Sequence, residues 1–377
     1  MIYLDNGATT LHKPQAVRAA VNRALLSCAN PGRGGYPAAM EAAEAVFRCR
    51  SLAGTMFDCP PERVVFTMNC THGLNMAIRT LVRPGDRVVI SGFEHNAVTR
   101  PLHALGARVT VAGRKLFDWE DTLAAFDQAL SEKPVAAIFT HVSNVFGYVL
   151  PVEQLAELCH LHGVPFLVDA AQSAGSRPVS LKKLGAEFIA MPGHKGLLGP
   201  QGTGLLLCAR DPEPLMQGGT GSLSIQQDMP DFLPDRGEAG AGNVPGICGL
   251  AAGMAHIQRV GLKAIGAREE REMERAVRGL NRLGLRVFAG PHQAGVLSFL
   301  PPDGDCEKAA GSFAARGIAL RAGLHCAPTA HESAGTLETG TVRASFGPDA
   351  SPEQTRGFLQ GAAAIWGRNK GPEGARS

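Results

Sequence analysis

The chain has 377 residues, which exceeds the usual length of one domain, so we expect two domains with a sizeable core. Its 37 basic and 34 acidic residues leave a formal net charge of +3 without long like-charge blocks, which argues against nucleic acid or an anionic membrane surface as the main partner. No apolar run reaches the roughly 18 residues of a membrane span, and no leader peptide is evident after Met1. Nine cysteines without a Cys-x-x-Cys pair predict neither a disulfide framework nor a zinc site, but a reducing, cytoplasmic setting.

Between about residues 60 and 210, short apolar or β-branched runs alternate with helical patterns. The predicted strands are 64–66, 87–90, 108–111, 136–139, 165–168 and 205–207. Several are apolar throughout, as expected for strands that helices cover on both faces. This pattern predicts a mainly parallel α/β sheet.

The last third of the chain has a different pattern. Residues 214–245 are rich in Gly, Pro and Asp and predict a long functional or interface-forming loop, and a helical stretch follows from Pro245. After a solvent-facing helix over 268–283, we predict strands at 285–288, 296–300 and 341–346, helices near 306–316 and 352–366, and a frayed tail over 368–377. We therefore predict a large domain over 15–250 and a smaller α+β domain formed by 1–14 and 251–377.

The strongest local signal is Lys195, which lies among glycines just after the apolar run 188–190. A lysine there can face a cavity, where its amine forms a Schiff base with a carbonyl, although such a pattern alone more often marks a solvated loop lysine. Upstream, Asp169 follows a buried strand, at the edge of the sheet where α/β proteins hold ligands. A carboxylate there needs a cationic partner, for which a protonated pyridine nitrogen would serve; a helix cap or a structural ion pair is the alternative.

Six further segments match the same family pattern as the motifs around Lys195 and Asp169. They are 3–10, 94–97, 141–147, 238–243, 321–327 and 342–346. With them the chain resembles, over nearly its whole length, the cysteine desulfurase and selenocysteine lyase branch of the class V aminotransferase superfamily. The resemblance implies an α/β fold of the fold-type I pyridoxal-phosphate enzymes, with a mainly parallel seven-stranded sheet in the large domain and a smaller α+β domain that carries a catalytic cysteine loop.

The resemblance also assigns roles around the cofactor, pyridoxal 5′-phosphate. Lys195 would carry it as a Schiff base and act as general acid and base, and Asp169 would pair with the pyridine nitrogen. His95 would stack on the ring and help to move protons. Asn144 and Gln172 resemble the amides near the ring hydroxyl, and Asn144 also adjoins the substrate; taken singly, both are ordinary strand-end polar residues.

The cofactor phosphate should lie at the start of a helix, where free amides favour an anion. Our candidates are Thr71, the amide of His72, and His194 as a neighbour, with a plain Thr cap as the local alternative. Two hydroxyl donors of the family pattern are missing, because Pro192 and Ala241 stand in their places. In a homodimer, Thr220 and Ser222 of one subunit would replace them at the other's phosphate, although a flexible loop is the plainer reading.

Two residues decide substrate and reaction. Arg343 resembles the arginine that grips the substrate carboxylate, with a solvated strand arginine as the alternative. Cys326 lies on a polar segment after Arg321 and His325 and matches the nucleophile of the desulfurase branch. The resemblance thus implies that L-cysteine becomes L-alanine while its sulfur passes to Cys326 as a persulfide.

Other functions stay open from the sequence. They are selenocysteine lysis, another class V aminotransferase or β-lyase reaction, and a non-enzymatic role as a low-turnover sulfur relay or regulator. The sulfur acceptor, whether an iron–sulfur cluster assembly scaffold, a sulfur carrier protein or a thiol, is not determined by the sequence.

Overall fold

The computed structural model describes residues 1–32 and 34–367. A seven-stranded sheet forms its centre, in the order β2-β8-β7-β6-β5-β3-β4. The strands are β2 (Val64–Thr67), β3 (Arg87–Ser91), β4 (Arg108–Ala112), β5 (Ala136–Thr140), β6 (Phe166–Asp169), β7 (Phe188–Pro192) and β8 (Gly204–Cys208). Strands β4, β3, β5, β6 and β7 run parallel, whereas β8 is antiparallel to both β7 and β2. The predicted mainly parallel sheet is confirmed.

Helices cover both faces of this sheet, which explains why its inner strands are apolar on both faces. They are α1 (Gln15–Ser27), α2 (Pro37–Phe57), α3 (Cys70–Leu81), α4 (Asn96–Ala104), α5 (Trp119–Ser131), α6 (Val152–His162), α7 (Leu181–Leu184) and α8 (Val244–Val260). Successive residues of β3 belong to different clusters, since Val89 packs with one face of the core and Val88 and Ile90 with the other. In the described part of the chain, no helix has the length and apolarity that a membrane crossing requires.

The second domain contains its own sheet in the order β12-β13-β10-β9, next to a parallel pair of β1 with β11. The elements are β1 (Ile2–Tyr3), α9 (Leu262–Arg282), β9 (Arg286–Phe288), β10 (Val296–Leu300), α10 (Cys306–Ala314), β11 (Ile318–Ala319), β12 (Arg321–Gly323), α11 (Pro328–Ala334), β13 (Thr341–Ser345) and α12 (Pro352–Trp366). A separate apolar cluster around Phe299, Phe313 and Phe358 forms its core. Gly261, with a φ of 92°, separates α8 from α9.

Two details of the predicted organisation differ or lie elsewhere. The predicted boundary at residue 250 falls inside α8, which packs against α1 and α2 of the large domain. The predicted loop over 214–245 ends where α8 begins and contains only a short 3-10 helix, Asp235–Gly237. The predicted frayed tail, 368–377, lies outside the described residues.

Candidate functional site

A cavity lies at the carboxyl ends of the central parallel strands. Thr140 of β5 pairs with Asp169 of β6, and Asp169 with Ala190 of β7, so the residues after these strands meet at one edge of the sheet. The structure brings seven predicted site residues to this cavity. They are Thr71, His95, Asn144, Asp169, Gln172, His194 and Lys195.

Lys195 lies in a turn whose neighbouring positions, Gly193 and Gly196, are packed so tightly that no larger residue fits there. A Cβ at Gly193 would lie 2.1 Å from the Thr203 hydroxyl, and one at Gly196 would lie 2.3 Å from the Ala174 carbonyl oxygen. Burial lowers the pKa of the Lys195 amine, although the nearby Asp169 carboxylate opposes the shift. A fraction of neutral amine is what a Schiff-base lysine requires.

The N-terminal segment clamps the same turn, which sequence reasoning did not foresee. Thr10 donates through its hydroxyl to the Lys195 carbonyl at 2.9 Å, and Lys13 donates from Nζ to the His194 carbonyl at 2.7 Å. Burial lowers the pKa of Lys13 to about 8. His194 Nδ1 contacts the Thr9 hydroxyl at 3.0 Å, so His194 is anchored through both its ring and its carbonyl.

Asp169 is buried, and burial raises the pKa of its carboxyl group, against the effects of the Ala171 amide and of Lys195. Its Oδ1 accepts hydrogen bonds from the Ala171 amide at 2.8 Å and from the Cys70 thiol at 3.5 Å. Among the described residues, Oδ2 has no donor. The carboxylate thus has a free acceptor in the cavity, and a cation there would offset the cost of its burial.

His95 is the N-cap of α4, because its Nδ1 accepts a hydrogen bond from the Ala97 amide at 3.0 Å. Burial lowers the pKa of His95 to about 4, and the positive charge of Lys195 adds to the effect. The ring is therefore neutral at physiological pH. Since Nδ1 accepts, the ring proton lies on Nε2, where it is available as a donor.

At the start of α3, one predicted phosphate contact, the amide of His72, already has a hydrogen-bond partner. The amide of His72 donates to Oδ1 of Asn69 at 2.9 Å, so this amide is not free for a phosphate oxygen. The His72 ring lines a different cleft, and its Nδ1 accepts from the Met68 amide at 3.3 Å. An Asn directly before the helix is a common N-cap and was the signal available in the sequence. Thr71, by contrast, lines the cavity.

Arg343 is buried beside the cavity, in strand β13. It donates from Nη1 to the Asn144 carbonyl at 3.0 Å and from Nη2 to Asp5 at 2.8 Å. Asp5 also binds Arg321, at 2.9 Å, so one carboxylate serves two guanidinium groups. The Nε of Arg343 has no hydrogen-bond partner among the described residues. The cluster keeps one excess positive charge, which suits an incoming carboxylate. The partnership with Asp5 was not predicted.

The amide side chains of the site are tied to the loops around it. Asn144 donates from Nδ2 to the His325 carbonyl at 2.7 Å, and Gln172 donates from Nε2 to the Gly7 carbonyl at 2.9 Å. Asn144 therefore joins the strand that precedes it to the cysteine loop. Both residues line the cavity, and their contacts with the ring hydroxyl and the substrate stay predictions.

Cys326 is the exposed member of the nine free cysteines. Its carbonyl accepts from the Asn96 amide at 2.7 Å, at the start of α4. His325 and Cys326 have φ values of 50° and 57°, a left-handed conformation that costs a non-glycine residue about 1 kcal/mol or more. Cys326 lines a groove that shares Thr71, His95 and Ala97 with the cavity, so Cys326 lies on a groove that borders the site.

Thr220 and Ser222 lie outside this cavity. Their hydroxyl groups contact each other at 3.0 Å, and Ser222 donates to Asp235. Thr220 and Ala241 line a separate cleft, together with the ring of His72. Within one chain, the cavity and these hydroxyl groups are therefore apart.

The groups around the cavity fit the predicted pyridoxal phosphate. An amine with a lowered pKa, a buried carboxylate with a free oxygen, a neutral imidazole and the start of a helix are the partners that its aldehyde, pyridine nitrogen, ring face and phosphate need. Pro192 lines the cavity without a hydroxyl group, so the phosphate end is poorer in donors than the sequence family suggests.

Comparisons with known proteins agree with this geometry. A model of the family "Aminotransferase class-V" matches residues 2–357. A probable cysteine desulfurase of Methanothermobacter thermautotrophicus is 34% identical over 362 residues, which is 92% of this chain and 90% of the relative. The apo structure of a cysteine desulfurase from Thermococcus onnurineus NA1 is 31% identical, with a TM-score of 0.89 over 97% of this chain and 94% of the other. The cysteine desulfurase CsdA of Escherichia coli is 26% identical, with a TM-score of 0.84 over 96% and 94% of the two chains.

Proposed function

Because this chain belongs to the class-V aminotransferase family, in its cysteine desulfurase branch, we propose that Cys326 is the nucleophile with which it takes sulfur from L-cysteine. The enzyme is a pyridoxal-phosphate-dependent cysteine desulfurase, and its products are L-alanine and a persulfide on Cys326. The observation that carries the proposal is the exposed Cys326 in a groove that shares Thr71, His95 and Ala97 with the cavity of Lys195.

The residues of the cavity hold the cofactor and control its protons. When bound, pyridoxal phosphate supplies a carbonyl that links to amines and a ring that accepts the electrons of a deprotonated Cα. Lys195 holds the cofactor through Nζ and, with its lowered pKa, moves the proton of the substrate Cα. Asp169 keeps the proton on the pyridine nitrogen, and His95 offers a flat neutral ring whose Nε2 donates. Thr71, the start of α3 and His194 hold the phosphate.

The substrate is oriented by its carboxylate. The Arg343 guanidinium receives the carboxylate of cysteine next to Asn144, whose main-chain carbonyl accepts from Arg343 Nη1. A guanidinium that is already fixed by Asn144 and Asp5 holds a carboxylate in one orientation, which directs the Cα–H bond toward the amine of Lys195. The substrate sulfur then points toward the opening of the cavity, where Cys326 lies.

In the sulfur step, the Cys326 thiolate attacks the substrate sulfur. A bond forms between the two sulfur atoms, and the Cβ–S bond of the substrate breaks with its electron pair kept on carbon. Protonation of that carbon, together with return of a proton to Cα from Lys195, yields alanine, while Cys326 keeps the sulfur as a persulfide. An exposed thiol suits this role because the same sulfur must afterwards be reached by an acceptor.

Replacement of the nucleophile tests the proposal. Cys326→Ala should still bind cofactor and cysteine, because Lys195, Asp169 and Arg343 are untouched. It should lose persulfide formation and lower alanine release from cysteine by at least about a hundredfold, since a dilute thiol does not replace a positioned one. Alanine release and cofactor absorption are measured on L-cysteine and L-selenocysteine, with Cys28→Ala as the cysteine-loss control.

The two substrates separate the alternatives. Selenium leaves more easily than sulfur, so part of the selenocysteine lyase activity should survive in Cys326→Ala. Equal turnover of cysteine by wild type and Cys326→Ala would contradict the proposal and leave a class V lyase or aminotransferase with an incidental loop cysteine.

The enzyme acts as a homodimer. The loop over 214–243 exposes apolar side chains, among them Ile225 at 94% and Phe232 at 44% of their full exposure. Several exposed apolar side chains on one loop support a role for this loop in a protein interface. In the dimer this loop brings Thr220 and Ser222 close to the partner's phosphate, where Pro192 and Ala241 provide no hydroxyl group.

The persulfide passes to an acceptor in the cytoplasm, where iron–sulfur cluster assembly consumes sulfur of this kind. Nine free cysteines support a reducing compartment, since thiols persist there.

A further inference from the structure

The groove that contains Cys326 extends well beyond the cavity. Helix α3 lines one side with Thr71, Asn75 and Arg79, and α4 lines the other with Asn96, Arg100 and Ala104. Residues four apart lie on one face of a helix, so each side is a continuous row of side chains. At 1.5 Å per residue, the row from Thr71 to Arg79 is about 12 Å long. The groove thus extends from the exposed Cys326 along the surface between the two helices.

The groove carries positive charge without a counterion. Arg79 and Arg100 are exposed, and neither guanidinium forms an ion pair or a side-chain hydrogen bond with another described residue. No carboxylate is among the residues that line the groove. By contrast, Arg83 and Arg87 nearby are paired with Glu213 and Glu132. The unpaired charges lie on the path to Cys326, where an anion would be attracted to them.

We propose that this groove is the docking site of the sulfur acceptor, and that the acceptor is a protein whose reactive cysteine lies in an acidic segment. The inference rests on the proposed function, because it takes Cys326 as the sulfur carrier. It adds the chemical class of the partner and the residues that recognise it, Arg79 and Arg100.

The transfer step needs no further reactant. The acceptor thiolate attacks the outer sulfur of the Cys326 persulfide, and a new S–S bond forms on the acceptor. The original S–S bond breaks and leaves its electron pair on Cys326 as a thiolate. The two guanidinium groups favour this step because they stabilise the approach of an anionic segment to a site that itself carries a negative persulfide.

The open shape of the groove favours a protein over a small molecule. Sites for small ligands are concave and bury most of the ligand, whereas Arg79, Arg100 and Cys326 are all exposed. An extended segment can lie between two helix rows while the rest of its protein covers the arginines from solvent. Its carboxylates then meet guanidinium groups in a partly desolvated contact.

The test separates loading of Cys326 from its unloading. Holoenzyme is first loaded with sulfur from L-cysteine, and the persulfide on Cys326 is quantified. Three synthetic peptides are then compared as acceptors. Each contains one cysteine, which is flanked by glutamates in the first peptide, by glutamines in the second and by lysines in the third. The double variant Arg79→Gln/Arg100→Gln is compared with wild type and with Arg18→Gln/Arg271→Gln, which removes the same charge from exposed arginines on α1 and α9.

We expect the glutamate peptide to accept sulfur about tenfold faster than the glutamine peptide at low salt, with the lysine peptide slowest. This preference should disappear in Arg79→Gln/Arg100→Gln and at high salt, while the control variant keeps it. Mercaptosuccinate, a small thiol with two carboxylates, should accept sulfur more slowly than the glutamate peptide.

Each of the remaining outcomes would overturn either the groove proposal or the proposed function. Equal rates for the three peptides, or a preference unchanged in the double variant, would overturn the groove proposal while a loaded Cys326 leaves the proposed function intact. Mercaptosuccinate matching the glutamate peptide would overturn the protein acceptor. If wild type forms no persulfide on Cys326, the proposed function itself fails.

Discussion

At the scale of single residues, Lys195 and Asp169 have pKa values shifted in the directions that favour their neutral forms. Burial is the main cause for both, and each charge partly opposes the shift of the other. A cofactor with an aldehyde and a basic nitrogen offsets the cost of burying both groups. The aldehyde reacts with the neutral amine of Lys195, and the protonated nitrogen gives the carboxylate of Asp169 a cationic partner.

We predict that Lys195→Ala abolishes turnover and removes the borohydride-reducible link between protein and cofactor. The nearby cation Lys13 cannot substitute, because its Nζ is held by the His194 carbonyl. Cofactor content after borohydride reduction, measured by mass, checks this, with exposed Lys263→Ala as the control. A reducible link and normal alanine release in the variant would contradict the assignment.

Asp5 is a positioning residue for Arg343. Asp5→Asn keeps the size of the side chain but removes the negative charge that is paired with Arg343, the residue we propose to bind the substrate carboxylate. We expect KM for L-cysteine to fall by about fivefold, which corresponds to about 1 kcal/mol. We also expect kcat to fall, because the guanidinium loses the partner that orients it.

Steady-state kinetics on L-cysteine separate these two effects, and Asp349→Asn is the matched control because, in the part of the chain that the structure describes, its carboxylate pairs only with the exposed His12. If kcat and KM both stay at their wild-type values in Asp5→Asn, the positioning role is disproved. A rise in KM would show that Asp5 assists substrate binding instead of competing with it.

At the scale of elements, the turn between β3 and α4 depends on Glu94. The side chain is buried and accepts hydrogen bonds from the Ser91 hydroxyl and, at 2.7 Å, from the Thr140 amide of β5. It therefore fixes the residue before His95 to the neighbouring strand. Burial raises the pKa of Glu94 from 4.5 to about 8.

The sign of the resulting pH dependence follows from linkage. Between pH 4.5 and about 8 the folded state holds a proton that the unfolded state has lost, so stability falls as pH rises through this window. We predict that Glu94→Gln, which cannot ionise, flattens the fall in Tm between about pH 5 and about pH 9. Thermal unfolding of both proteins across this range measures it, and parallel Tm curves would show that Glu94 is not the cause.

Some elements can be predicted from the sequence, whereas others cannot. Strands such as β5 and β6 are buried apolar runs, so their pattern predicts them. Strands β1, β11 and β12 have two or three residues, too few for any periodicity, and exist because partners far along the chain fix them. The contact of Arg343 with Asp5 joins residues 338 positions apart, and only tertiary packing determines it. The Asn69 cap, in contrast, can be recognised from the sequence, and it engages the amide of His72.

At the scale of the whole molecule, the dimer proposal depends on the loop over 214–243. Ile225→Asp places a charge on an apolar side chain that is 94% exposed in the single chain. We predict that the Ile225→Asp variant is more monomeric than the wild-type protein. We also predict that it binds the cofactor more weakly, because the hydroxyl groups of the partner subunit no longer reach the cofactor phosphate. Sedimentation and cofactor titration test this against Leu161→Asp, which alters an exposed leucine on α6. A fully active wild-type monomer would contradict the dimer.

On the proposed function, sulfur from L-cysteine comes to rest on Cys326. A single turnover with isotopically labelled sulfur, followed by alkylation, proteolysis and mass analysis of every cysteine peptide, locates that sulfur. We predict one labelled sulfur on the Cys326 peptide for each alanine released, with the other cysteines unlabelled. Alanine release without label on Cys326, or label on a different cysteine, would contradict it.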